Sequence, residues 1–161
     1  LPAVAWAAAA ATIIGQSLGA GLPDRARRAG HEAVLQCGVL GVVITLVFYF
    51  GAESIYRGMH NSEAVITAGV PAFRMLALFQ LPLVAGIVYV GGLRGAGDTR
   101  VPMWITLFTT LLVRLPAAWL CGVVLNGGLY GAWIGMCLDM LLRGVLVAWR
   151  FWRGGWERTH V

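Results

Sequence analysis

The chain switches between long apolar runs and short clusters of Gly, Pro, Asn and charge, and it does so five times. A helix that crosses the hydrocarbon of a bilayer takes about 20 mostly apolar residues. The first run extends from Ala3 to Leu22 and gives way to Pro23-Asp24. The second covers residues 33–50, with Gln36 its only strongly polar member. The third follows Asn61-Ser62-Glu63, where Ser62 is placed to cap a helix, and covers residues 64–93; Pro71 and Pro82 are expected to bend it. The fourth covers residues 101–125, with Pro102 suited to the first turn. The fifth follows Asn126-Gly127-Gly128, a turn signal, and covers residues 129–151. No segment alternates for long, and the apolar runs far exceed the length of a barrel strand. The pattern predicts an all-α polytopic membrane bundle of five spans, a single membrane domain over residues 1–161.

Composition agrees with that solvent. Apolar residues make up 59% of the chain and charged residues 12%, with a mean hydropathy of +0.78. A soluble domain carries roughly a quarter charged residues, and disorder needs low hydrophobicity and high charge, so both classes are excluded. The net charge of +5 comes entirely from Arg, and the sequence has no Lys. In a membrane protein such positives gather in cytosolic loops, so nucleic acid is not an expected partner. Arg25, Arg27 and Arg28 follow the first run, Arg94 and Arg100 separate the third from the fourth, and Arg150, Arg153 and Arg158 close the chain. These eight fall on one side of a five-span path, and only Arg57 flanks a span on the other. The positive-inside rule puts those two loops and the C-terminus in the cytoplasm and Leu1 outside, as an integral protein of a bacterial inner (plasma) membrane. The chain opens Leu1-Pro2 with neither Met nor a basic segment, which predicts a fragment or processed chain rather than a signal peptide.

Packing chemistry is visible as well. Gly15/Gly19, Gly91/Gly95 and Gly127/Gly131/Gly135 are small-xxx-small spacings that let helix backbones approach closely. Cys37, Cys121 and Cys137 lie in apolar runs without metal-ligand spacing and read as packing residues, and no metal site is expected. Trp6, Trp104, Trp152 and Trp156 fall near span ends, where an indole suits the headgroup region.

Two motifs suggest catalysis, and neither has the surroundings it needs. Gly15-Gln16-Ser17-Leu18-Gly19 has the spacing of a nucleophile elbow, but it lies in a helical run and His31, His60 and His160 all sit in loops or at segment ends. Gly95-Ala96-Gly97-Asp98 resembles the signature of intramembrane aspartyl proteases, which requires a second carboxylate close enough to share a proton. Asp139 is the only other acid inside a span and lies at a different depth, while Arg94 and Arg100 favour a loop salt bridge for Asp98. The chain is not expected to be an enzyme, and no catalytic residue is assigned.

Charges inside spans default to function. Arg114 lies 13 residues before Gly127 and Asp139 12 after it, so the two are expected at matched depth as a buried ion pair, with Arg143 one turn on from Asp139 sharing the carboxylate. The cluster is either a structural clamp or part of a proton or substrate route. Gln16, Gln80 and Arg74 are the remaining substrate-cavity candidates, and Arg74, nearer the outer end of its span, can also snorkel.

Two segments carry a resemblance. Gly15-Gln16-Ser17-Leu18-Gly19-Ala20-Gly21-Leu22-Pro23-Asp24-Arg25-Ala26-Arg27-Arg28 and Leu93-Arg94-Gly95-Ala96-Gly97-Asp98-Thr99-Arg100-Val101-Pro102-Met103 are similar to a helix-end motif and a loop motif of the multidrug and toxic compound extrusion (MATE) transporters. Arg114-Leu115-Pro116, Gly131-Ala132-Trp133 and Arg153-Gly154-Gly155-Trp156 support it. The resemblance implies the last five spans of the second of two six-helix lobes, and a cation-coupled multidrug efflux antiporter working by alternating access. It further implies a small cationic organic substrate held between lobes, a proton or sodium gradient as driving force without a cofactor, and an N-terminal lobe or second copy as partner within the bilayer. Some members carry an acidic cation ligand in the helix matching residues 64–93, where this chain offers only Arg74 and Gln80. Of its seven acids, six flank spans and Asp139 has Arg neighbours, so the coupling carboxylate is expected elsewhere. Two other readings stay open: a flippase for lipid-linked precursors from the same broad superfamily, and a half-size membrane scaffold that dimerises.

Overall fold

The computed structural model describes residues 2–59 and 62–158. Leu1, His60, Asn61 and His160, which enter the sequence argument, lie outside them. All described regular structure is helical: α1 (Pro2–Gly19), α2 (Pro23–Met59), α3 (Glu63–Leu78), α4 (Gln80–Gly95), α5 (Arg100–Val124), α6 (Gly128–Trp152) and a final 3-10 turn at Gly155–Arg158. Among the described residues, α2, α5 and α6 are each long and apolar enough to cross a membrane, and α3 with α4 forms a fourth crossing candidate bent by 47°. The 18-residue α1 lies alongside α4.

The third apolar run is therefore broken. The break falls at Phe79, three residues before Pro82, whose ring nitrogen has no hydrogen to give the carbonyl of Leu78. Pro71 leaves α3 continuous. Ser62 precedes α3 without a side-chain cap bond; its carbonyl instead accepts the Val65 and Ile66 N–H groups at 3.1 Å each. The second run extends well past its apolar limits. With 37 residues α2 is about 55 Å long, against a hydrocarbon layer of about 30 Å, so its Arg-bearing start and its Glu53–Arg57 end project into the interfaces.

Helix α5 contains two π-helical stretches, Thr109–Arg114 and Leu120–Val124. Leu115 N–H reaches back five residues to the Thr110 carbonyl, just ahead of Pro116, which has no N–H for the Leu112 carbonyl four residues back. The widened turns rotate every later side chain relative to an ideal α-helix.

Helix α4 is the hub, packed against α1, α2 and α6, whereas α5 rests chiefly on α6. The main core joins Ile14 of α1, Cys37 of α2, Val84, Val88 and Leu93 of α4, and Val147 and Phe151 of α6. Backbones meet where the glycines fall. A Cβ on Gly91 would lie 2.6 Å from the Ala7 carbonyl oxygen, and one on Gly95 would collide with Ala11. Gly131 and Gly135 likewise admit the backbone of α5 at Cys121 and Ala118. Gly15 approaches Gly95, but Gly19 has nothing within 4 Å, so that pair contributes one close contact rather than two.

Large apolar side chains such as Leu35, Val39, Phe50, Phe108, Leu112 and Trp119 point outward, as a lipid solvent permits. Trp104 and Trp152 are exposed and Trp6 is half-buried. Trp156 departs from the interface expectation: it is fully buried, stacked on Phe151 at 4.7 Å, and its Nε1–H donates to the Phe151 carbonyl at 2.7 Å. Gly154, at φ +69°, turns the chain back so that the indole folds beneath the end of α6.

Candidate functional site

A cavity of about 400 Å³ opens between α1, α4, α5 and α6. Val4, Ile87 and Met140 supply apolar walls, and Arg94, Arg114, Asp139 and Arg143 supply the charge. Asp139 is 1% exposed. Its two carboxylate oxygens accept hydrogen bonds from Arg143 Nη2 at 2.9 and 2.8 Å, and the same nitrogen donates to Thr110 Oγ1 at 2.9 Å. One guanidinium thus ties α6 to the first π stretch of α5. Arg143 Nε is buried and has no hydrogen-bond partner.

Of the expected Arg114–Asp139–Arg143 cluster, the Arg143–Asp139 contact is present at 2.8 Å, whereas Arg114 does not reach the carboxylate. Arg143 is at i+4 on the same helix, where side chains meet directly. Depth matching across the Gly127 turn assumed an ideal α-helix, and the π stretch changes the direction of Arg114. Arg114 is exposed and lines both the large cavity and a shallower one of about 250 Å³ beside Ala118 and Trp133. Among the described residues neither Arg94 nor Arg114 has a carboxylate within 4.0 Å.

The other cavity candidates do not converge. Gln80 lines a separate cavity of about 140 Å³ between α1, α2 and α4, which also holds Cys37. Gln16 is exposed and lines none of these cavities. Arg74 donates to the Tyr49 carbonyl at 3.3 Å and lies over the Tyr49 ring at 5.8 Å, which joins α3 to α2. Among the described residues no three His, Cys, Asp or Glu side chains gather as a metal site.

The two motif segments share one local structure. Gly21 and Gly97 take left-handed φ values of +71° and +83°. Gly21 N–H returns to Leu18 O and Leu22 N–H to Ser17 O, both at 2.9 Å; Gly97 N–H returns to Arg94 O at 3.0 Å and Asp98 N–H to Leu93 O at 2.9 Å. Each Gly-Ala-Gly is therefore the same C-terminal cap, and any residue with a Cβ would be strained at its second glycine.

Asp98 does not pair with Arg94 or Arg100. It is 5% exposed and binds Arg150 at the end of α6, with Nε–Oδ2 at 2.9 Å, while Oδ1 accepts the Val101 N–H at 3.4 Å. Pro102 is buried in the same turn and Arg100 is exposed. Across this end of the bundle Arg27 binds Glu157 at 2.7 Å. His31 lies inside α2 rather than in a loop, with Nδ1 3.0 Å from the Tyr89 hydroxyl and its ring edge-on to Phe151. Sequence reasoning missed the Asp98–Arg150 and Arg27–Glu157 links. The available signal was that four opposite charges all flanked spans on one side.

Apolar helices long enough to cross a bilayer, tightly crossed and enclosing a charged cavity, define a polytopic integral membrane protein. The MatE family model matches residues 1–120, and the chain belongs to that family. It is 28% identical over 161 residues to a protein of Thermotoga maritima named probable multidrug resistance protein NorM, covering all of this chain and 35% of that one. A Xanthomonas campestris protein of the same name is 30% identical over 141 residues, covering 86% of this chain and 30% of that protein. The chain spans about a third of the length of these relatives. In fold it is similar to the eukaryotic MATE transporter AtDTX14, with a TM-score of 0.88 at 24% identity over 97% of this chain and 35% of that one. A multidrug resistance MATE transporter in an inward-facing conformation gives a TM-score of 0.84 at 21% identity, over 92% and 33%.

Proposed function

We propose that this chain forms part of a cation-coupled multidrug efflux antiporter, with a small cationic organic substrate bound between this lobe and another and exposed alternately to the two sides of the membrane. The observation that carries this reading is the MatE match over residues 1–120, supported by relatives named for multidrug resistance. The end of the bundle that holds Arg27, Asp98, Arg150 and Glu157 faces the cytoplasm, because basic residues flanking spans remain on that side.

The chain supplies wall and gate rather than the coupling group. The two buried carboxylates of the described residues are each committed to an ion pair that holds helices in place. Asp139 is bonded twice to Arg143, and Asp98 is bonded to Arg150. The antiport reading is tested by expressing the complete reading frame that contains this sequence in efflux-deficient bacteria. Cells are expected to accumulate less of a cationic dye than controls. Equal accumulation at matched protein level would overturn the proposal.

A further inference from the structure

The large cavity carries more positive charge than its own carboxylate balances. Among the described residues three guanidiniums, Arg94, Arg114 and Arg143, line it against one carboxylate, that of Asp139. That carboxylate already accepts two bonds from Arg143, and among the described residues neither Arg94 nor Arg114 has a carboxylate within 4.0 Å. Arg114 lies roughly 20 Å along the helices from the Gly127 turn, well inside the hydrocarbon layer. Charges at that depth are stable when they pair or face a cavity that brings a counter-charge.

We propose that this cavity is a binding site for the anionic group of an amphiphile, a carboxylate or phosphate drawn in by the guanidiniums of Arg94, Arg114 and Arg143 that line it. Its apolar part lies against Val4, Ile87 and Met140. Guanidinium forks suit such oxyanions, because two parallel N–H groups match two oxygens. The site lies within one lobe and is defined by its charge balance, so it stands apart from the cationic substrate proposed to bind between lobes. Two sources share this chemistry, a membrane lipid headgroup and a soluble anionic amphiphile.

The test reads binding, not transport. The purified product of the complete reading frame that contains this chain, in zwitterionic detergent, is titrated with octyl phosphate while thermal unfolding is followed; in a second arm, nanodiscs of phosphatidylcholine are compared with nanodiscs containing phosphatidylglycerol. Octyl phosphate, phosphatidylglycerol or both are expected to raise the unfolding temperature. A response to phosphatidylglycerol alone identifies the lipid source, and a response to octyl phosphate alone identifies the soluble one. Arg114→Gln and Arg94→Gln, which break no bond in the fold, should each weaken the effective affinity by about tenfold. Arg57→Gln, at the opposite end, should leave it unchanged. The proposal is overturned if neither anion stabilises the protein, if Arg57→Gln weakens the response as much as Arg114→Gln, or if both cavity variants respond like the parent.

Discussion

Asp139→Asn removes the most buried carboxylate among the described residues and leaves Arg143 facing a neutral amide. The aspartate is 1% exposed, so its charge has no aqueous alternative, and it loses two charge-assisted bonds of 2.8–2.9 Å. Breaking a buried pair typically costs about 3–5 kcal/mol. Arg143 retains 29% side-chain exposure to the cavity and can rehydrate in part, which lowers the expectation to about 2–3 kcal/mol. Partner identity is read by two double-mutant cycles followed by thermal unfolding in detergent. Asp139→Asn with Arg143→Gln should show a coupling of about 1–3 kcal/mol, and Asp139→Asn with Arg114→Gln should be additive within about 0.5 kcal/mol. Coupling to Arg114 that equals or exceeds coupling to Arg143 would refute the reasoning and restore the interhelical pair.

Three further outcomes follow from the packing and the charge distribution. Gly91→Val places side-chain atoms against the Ala7 backbone and should lower stability by at least about 1–3 kcal/mol, whereas Gly19→Ala, with open space around it, should stay within about 0.5 kcal/mol in the same melt. Trp156→Ala empties a fully buried site beneath Phe151 and should cost about 3–5 kcal/mol, with the residues after Arg153 becoming cleavable by protease in the folded protein; an uncleaved tail and an unchanged melt would contradict the packing. In intact cells a cysteine replacing Asn126 should react with an impermeant maleimide and one replacing Arg27 should not, and the reverse pattern would invert the orientation.

Much of this molecule was written in its hydrophobic pattern, since lipid solvent demands long apolar runs and leaves turns to Gly, Pro and Asn. Close crossings at Gly91, Gly95, Gly131 and Gly135 could be anticipated because a missing Cβ is a direct statement about approach distance. What escaped were features that depend on phase. The π stretches of α5 change the phase on which the Arg114–Asp139 pairing was counted, and the break at Phe79 divided one predicted span into two helices. Trp156 looked like an interfacial indole because its burial depends on the left-handed turn at Gly154, a tertiary event beyond the last apolar run. His31 escaped for a related reason: α2 begins ten residues before its apolar stretch does, so a residue expected in a loop sits on a helix facing Tyr89 and Phe151.

Gradient-driven flux addresses the central claim most directly. The complete reading frame containing this chain is reconstituted in liposomes, a proton or sodium gradient is imposed, and movement of a cationic dye is followed. Dye movement is expected to track the gradient, to stop when the gradient is collapsed, and to persist in folded Asp139→Asn, because the carboxylate removed there is the one bound to Arg143. No gradient-dependent movement, or movement abolished by Asp139→Asn in protein that remains folded, would contradict it.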